Sequence, residues 1–156
     1  MASHELAVGG PAPEIALQDD AGTPVKLSGF RGKTVVLYFY PKADTPGCTK
    51  ESCEFRDAVK QFGRRDAVIL GISPDAPSAQ AKFKTKYDLP FTLLADVDHR
   101  AADAYGVWKE KSMYGKTYMG IERSTFVIGP DGKIRKIFRK VKPEGHAAEV
   151  LAALAG

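Results

Sequence analysis

Hydrophobic and polar positions change period along the chain, and each period predicts an element. Residues 34–40 (TVVLYFY) form an unbroken β-branched and aromatic run, the pattern of a strand buried on both faces. Residues 66–72 (DAVILGI) repeat it, and Phe91–Leu94 begins a shorter strand. Between the first two, Phe55, Ala58, Val59 and Phe62 recur at the spacing i, i+3, i+4, i+7, which predicts an amphipathic helix over 49–62. Further helices are predicted over 78–87, 99–105 and 143–154. The last would have Pro143 at its first position, where the missing N–H costs nothing. Residues 14–27 read as two short strands around an Asp19–Thr23 turn, with Asp and Gly supplying the turn chemistry. Segments 124–128 and 133–138 flank Gly129-Pro130-Asp131-Gly132, a hairpin signal. Residues 106–123 show neither period and are expected to be a long, irregular connection, the sort that tends to be functional.

Strands joined by helices and closed by a hairpin and a helix describe an α/β fold with a mixed central sheet covered on both faces. The thioredoxin-like fold is one such arrangement. The chain has 156 residues, 44% hydrophobic and 27% charged, the balance of one soluble domain spanning 1–156. No stretch approaches the roughly 20 apolar residues of a membrane span. The N-terminal MASHELAVGG has neither a basic nor an apolar signal region, so the expected location is cytoplasmic.

Charge adds little. The excess is +4, and the densest basic run, Lys133, Arg135, Lys136, Arg139, Lys140 and Lys142, alternates with Ile134, Ile137, Phe138 and Val141. It reads as the solvated side of a strand, and no nucleic-acid partner is expected.

Cysteine adds much more. The two cysteines lie five residues apart, and no third is available to either. That is too few for a disulfide scaffold, and in a cytosolic protein it points to redox or nucleophilic chemistry. A zinc site needs four ligands, and His4, His99 and His146 are scattered without ligand spacing; no metal or other cofactor is expected. Cys48 falls where the Lys42–Cys48 loop enters the helix, against unpaired N–H groups and the positive end of the dipole, which favour a thiolate. At 100° per residue Cys48 points within about 30° of the core direction, and Cys53 about 170° away from it. Residues five apart in a helix have Cα atoms roughly 8–9 Å from each other, beyond the roughly 7 Å a disulfide tolerates. Either the two thiols never meet, or the first turns of the helix unwind.

The segment Pro41, Thr45, Cys48 has the spacing P-x-x-x-T-x-x-C, and Thr45 through Cys53 reads TPGCTKESC. Downstream stand Tyr105-Gly-Val-Trp108, Met113-Tyr114-Gly115 and Gly120 through Phe126. In these four ordered segments, from about Gly10 to the C-terminus, the sequence resembles the peroxiredoxins of the bacterioferritin comigratory protein, or peroxiredoxin Q, group. The resemblance implies a thioredoxin-like fold with an N-terminal β-hairpin, and a thiol peroxidase acting on hydrogen peroxide and organic hydroperoxides. Cys48 matches the cysteine that attacks the O–O bond to become a sulfenic acid, and Cys53 the one that resolves it as an intramolecular disulfide. Thioredoxin or a related dithiol protein then restores the dithiol. Thr45 matches a hydroxyl that binds thiolate and peroxide, Arg123 an arginine that holds both, and Pro41 a proline that shields them. An N-cap for Thr45 and a surface ion pair for Arg123 are the plain structural readings. Glu51 either orients Arg123 or favours the helix N-terminus. The resemblance also implies a monomer. A dithiol–disulfide oxidoreductase and a non-catalytic peroxide sensor on the same fold are the rival functions.

Overall fold

The computed structural model describes residues 6–155. Its elements run β1 (Ala16–Asp19), β2 (Pro24–Lys26), β3 (Thr34–Phe39), α1 (Pro46–Asp57), α2 (Val59–Gly63), β4 (Ala67–Ser73), α3 (Pro77–Lys86) and β5 (Thr92–Ala95), then α4 (Arg100–Ala104), β6 (Trp108–Met113), β7 (Lys116–Ile121), β8 (Ser124–Ile128), β9 (Ile134–Phe138) and α5 (His146–Ala155). Seven strands form one sheet in the order β2-β1-β5-β4-β3-β8-β9. The inner strands β5, β4 and β3 are parallel, and the outer ones pair antiparallel. Burial on both faces is why β3 and β4 carry no polar alternation. At the centre Gly71 is required, because a Cβ there would sit 2.8 Å from Leu93 Cδ2 and 2.9 Å from the Tyr38 ring.

Helix α4 covers one face of the sheet over Leu37, Phe39, Tyr105 and Phe126. The other face, with Val36, Tyr38, Tyr40 and Val127, is covered by α1, α2, α3 and α5 through Phe55, Phe62, Phe83 and Val150. Among the described residues no helix is long and apolar enough to cross a membrane. The basic run lies on and after the edge strand β9, where Arg135 and Lys136 are exposed.

The mixed sheet, its flanking helices and the β1–β2 hairpin are as expected. Three expectations need correction. The predicted 49–62 helix starts earlier, at Pro46, and breaks at Ala58, whose φ of −100° and ψ of 2° separate α1 from α2. A break that keeps Phe55 and Phe62 both buried leaves the apolar periodicity intact, so the period alone does not reveal it. Residues 106–123 are not irregular. They form the β6–β7 hairpin, turned by Tyr114 and Gly115 at φ 53° and 78°. Most of its side chains are exposed on both faces, which removes the polar–apolar alternation that marks a half-buried strand. The last helix begins at His146 rather than Pro143, because Gly145 takes a left-handed φ of 78° that a continuing helix excludes.

Candidate active site

β3 ends at Phe39 and passes through buried Tyr40 to Pro41, which has no N–H to extend the ladder. The loop that follows is pinned by its neighbours. The Ala43 N–H donates to Asp75 Oδ2 at 2.7 Å, and the same oxygen accepts the Ser73 hydroxyl at 2.7 Å. Asp44 accepts from the Tyr87 hydroxyl at 2.7 Å and from Lys86 Nζ at 2.9 Å. Thr45 is extended, with φ −94° and ψ 156°, and Pro46 opens α1, as suits its missing N–H.

Cys48 therefore stands third in the helix, in the first turn, where the dipole's positive end lies. It is fully buried in the cluster with Tyr38, Tyr40 and Phe55, in keeping with the inward direction expected for it. Cys53, five residues further along the helix, is half-buried rather than turned to open solvent; Arg56, about one helical turn beyond it, reaches to the Tyr87 carbonyl at 2.8 Å. Both thiols are free, and the helix between them is intact.

Arg123 lies between β7 and β8, beside the end of β3, where Phe39 pairs with Ser124. Its carbonyl accepts the Val141 N–H at 2.9 Å, and the neighbouring Glu122 N–H donates to the Val107 carbonyl at 2.8 Å. So anchored, its guanidinium forks: Nη2 donates to Cys48 Sγ at 3.3 Å and Nη1 to Glu51 Oε1 at 2.7 Å. The Arg123 side chain is 15% exposed and that of Glu51 0%, so this is an inner clamp and not a surface ion pair. Of the two expected roles for Glu51, the structure places it on Arg123. Burial, offset in part by Arg123, pushes the Glu51 carboxyl up to about 7.

Thr45 and Pro41 lie on the same loop but do not touch the sulfur through a hydrogen bond. The Thr45 hydroxyl donates to the Lys42 carbonyl at 2.8 Å, and its side chain caps no α1 N–H. Pro41 is half-buried.

Three neighbours of the site escaped sequence reasoning. A Cβ on Gly47 would lie 3.2 Å from Arg123 Nη2 and 3.4 Å from Pro143 Cγ. Glycine here lets the guanidinium approach, and Pro143 packs beside the site instead of starting a helix. Lys111 on β6 feels both Arg123 and Cys48; burial, with Arg123 adding to it, lowers its pKa. The glycine inside TPGC was a readable signal, whereas Pro143 and Lys111 carried none. Gly47→Ala is expected to slow peroxide reduction severalfold by displacing Arg123, with no loss of thermal stability, since alanine favours a helix over glycine. Stopped-flow rates beside melting curves measure both.

The histidines considered as metal ligands sit elsewhere. His99 stacks on Trp108 at 3.8 Å between ring centroids. His146 is buried between Phe55 and Phe138. Its Nδ1–H donates to the Glu149 carboxylate at 2.9 Å, which leaves Nε2 to accept the Thr125 hydroxyl at 2.7 Å. His4 falls outside the described residues. Among the described residues no group of three or more His, Cys, Asp or Glu side chains converges.

The chain matches the model of the AhpC/TSA family over residues 8–137. The chain belongs to that family. It is 52% identical over 149 residues to the peroxiredoxin Bcp of Bacillus subtilis, covering 96% of this chain and 95% of that one. The peroxiredoxin Bcp of Escherichia coli is 45% identical over 148 residues, covering 95% of each. Among solved structures, Xylella fastidiosa PrxQ superposes with a TM-score of 0.92 at 39% identity, covering 99% of this chain and 98% of that one. The Xanthomonas campestris bacterioferritin comigratory protein, studied for alkyl peroxide reduction, superposes with a TM-score of 0.87 at 42% identity, covering 90% of each chain. These are thioredoxin-fold peroxiredoxins, and this AhpC/TSA protein is likewise a thiol-dependent peroxidase. The family match ends within β9, so α5 and the Pro143 flank of the site lie beyond it.

Proposed function

We propose that Cys48 is the nucleophile that reduces hydrogen peroxide and organic hydroperoxides, and that Cys53 resolves the product. The observation that supports this most is the Arg123 fork, 3.3 Å from Cys48 Sγ and 2.7 Å from Glu51. Attack at oxygen needs an ionised sulfur and a donor for the charge growing on the departing oxygen. A permanently charged, forked guanidinium supplies both. The S–O bond forms as the O–O bond breaks, leaving a sulfenic acid on Cys48 and an alcohol or water. Condensation with the Cys53 thiol then expels water and gives an intramolecular disulfide. Thioredoxin or a related dithiol protein reduces it, with the enzyme acting as a monomer in the reducing cytoplasm. The Thr45 oxygen, whose proton is given to Lys42, keeps lone pairs for the peroxide O–H, and Pro41 shields the loop.

The deciding measurement is peroxide consumed against dithiol oxidised in a thioredoxin-coupled assay. One disulfide per peroxide, with hydrogen peroxide and an alkyl hydroperoxide alike, is the expected result. Turnover of protein disulfides in the absence of peroxide would instead assign an exchange catalyst.

A further inference from the structure

Glu51 has two carboxyl oxygens, and among the described residues one of them has a partner. Oε1 accepts from Arg123, while Oε2 is buried with no hydrogen-bond partner among those residues. An ionised carboxylate accepts only, so Oε2 would keep buried lone pairs that the surrounding side chains do not satisfy. A protonated carboxyl removes that charge. The opposite end of the same guanidinium faces Cys48, so a thiolate and a carboxylate would compete for one cation. The other charged or titratable groups around the pair do not resolve the competition. Glu54 on α1 adds negative charge, and Tyr38 on β3 gives or takes its hydrogen bond with Ser52. His146 on α5 is held neutral, first by burial. Lys111 on β6 faces Arg123 and Cys48 from outside the pair.

We infer that Glu51 is a charge-balancing proton donor: it holds a proton while Cys48 is a thiolate and gives it up when the sulfur is oxidised. The inference rests on the peroxidase reading above. Arg123 then faces one anion in each state, sulfur before the reaction and carboxylate after it. The balance is Cys48–S⁻ plus ROOH plus Glu51–COOH giving Cys48–SOH plus ROH plus Glu51–COO⁻. The sulfur lone pair forms the S–O bond, the O–O electron pair leaves with the departing oxygen, and the Glu51 proton neutralises that oxygen. Sulfur is oxidised by the two electrons that reduce the peroxide. When a dithiol later regenerates the Cys48 thiol, its proton returns to Glu51 and the starting state is restored. The elevated affinity of Glu51 for a proton, near neutral pH, suits a group that must switch in both directions.

The test uses Cys53→Ser, in which oxidation stops at the sulfenic acid. One equivalent of hydrogen peroxide is added, and infrared difference spectra are recorded while mass spectrometry follows the sulfenic acid. Loss of a protonated-carboxyl C=O band in step with sulfenic acid formation is expected, and its absence in Cys53→Ser combined with Glu51→Gln. Proton uptake from a weakly buffered solution should rise in that double variant, because the departing oxygen must then draw on solvent. Isotope labelling of glutamate carboxyls assigns the band should the double variant fold poorly. Sulfenic acid formed without loss of a carboxyl band, or a loss that persists in Glu51→Gln, overturns the inference. Failure to form sulfenic acid at all overturns the peroxidase reading instead.

Discussion

Cys48→Ser is expected to abolish peroxide turnover, and Arg123→Ala to lower its rate by about 10²- to 10³-fold. A serine hydroxyl at Cys48 stays protonated and has no comparable nucleophile to offer. Loss of the arginine removes a preorganised donor, and single donors aimed at developing charge are worth about 10² to 10³ in rate. Arg123→Ala has a second consequence, in stability. It strips the Arg123 hydrogen bond from the fully buried Glu51 carboxyl, and where that carboxyl is ionised, breaking a buried pair from one side costs roughly 3–5 kcal/mol. That cost depends on pH in a definite direction. The Glu51 carboxyl is already pushed up from 4.5 to about 7 by burial, against the pull of Arg123, so removing Arg123 raises it further. A group whose folded pKa is raised stabilises the fold below its unfolded pKa, and loses that contribution as pH rises through the folded value. Arg123→Ala should therefore be least destabilised near about pH 5 and most destabilised above about pH 8. Arg123→Lys should recover part of the stability and little of the rate, since an ammonium cannot fork between sulfur and carboxylate. Stopped-flow peroxide reduction and urea melts at the two pH values measure both effects. A pH-independent loss of stability would contradict the account of Glu51.

Disulfide closure is expected to melt the first half of α1, and Cys53→Ser to stop multiple turnover. Cys48 and Cys53 lie in one continuous helix, Pro46–Asp57, with Cα atoms about 8–9 Å apart by helical geometry. A disulfide allows no more than about 7 Å. Residues from about Cys48 to Phe55 must therefore leave the helix, each backbone hydrogen bond costing about 1 kcal/mol net. The segment is not a free turn. It carries Glu51 on Arg123 and Ser52 at 2.8 Å from the Tyr38 hydroxyl, both fully buried. Oxidation of Cys48 removes the sulfur's negative charge and so weakens the separate tie between Cys48 and Arg123 at the head of the segment. Unwinding should end near Phe55, whose ring lies 4.7 Å from Tyr38 and 5.8 Å from Phe62 between centroids. Hydrogen exchange should show protection lost across 48–55 in the oxidised protein and retained in α2. Equal protection in both redox states would exclude Cys53 as the resolving partner. Cys53→Ser should fold normally, consume one peroxide, and then over-oxidise at Cys48.

Much of the site was legible in the chain because its chemistry is local. Thr45, Cys48 and Cys53 share a loop–helix junction whose spacing alone sets Cys48 inward at a helix start. The continuous apolar runs of β3 and β4 likewise marked two strands buried on both faces. Strand order, the break at Ala58 and the start of α5 at His146 were not legible. Apolar periodicity reports which face is buried and is indifferent to a one-residue interruption or to a left-handed glycine. The β6–β7 hairpin stayed hidden because its strands are exposed on both sides, and exposure on both sides erases alternation.

The sequence by itself singled out Cys48 as the proposed nucleophile, the helix that carries it, and the conflict between an intact helix and a disulfide, since all three follow from residues within one segment. Only the tertiary structure decided that Arg123 divides its guanidinium between Cys48 and Glu51, that Gly47 and Pro143 leave room for it, and that Glu51 keeps one buried oxygen without a partner among the described residues. Those facts depend on β8 pairing beside β3, which brings residue 123 to a helix start 75 positions earlier. A contact of that range arises from how the sheet closes, and no local pattern of side chains encodes it.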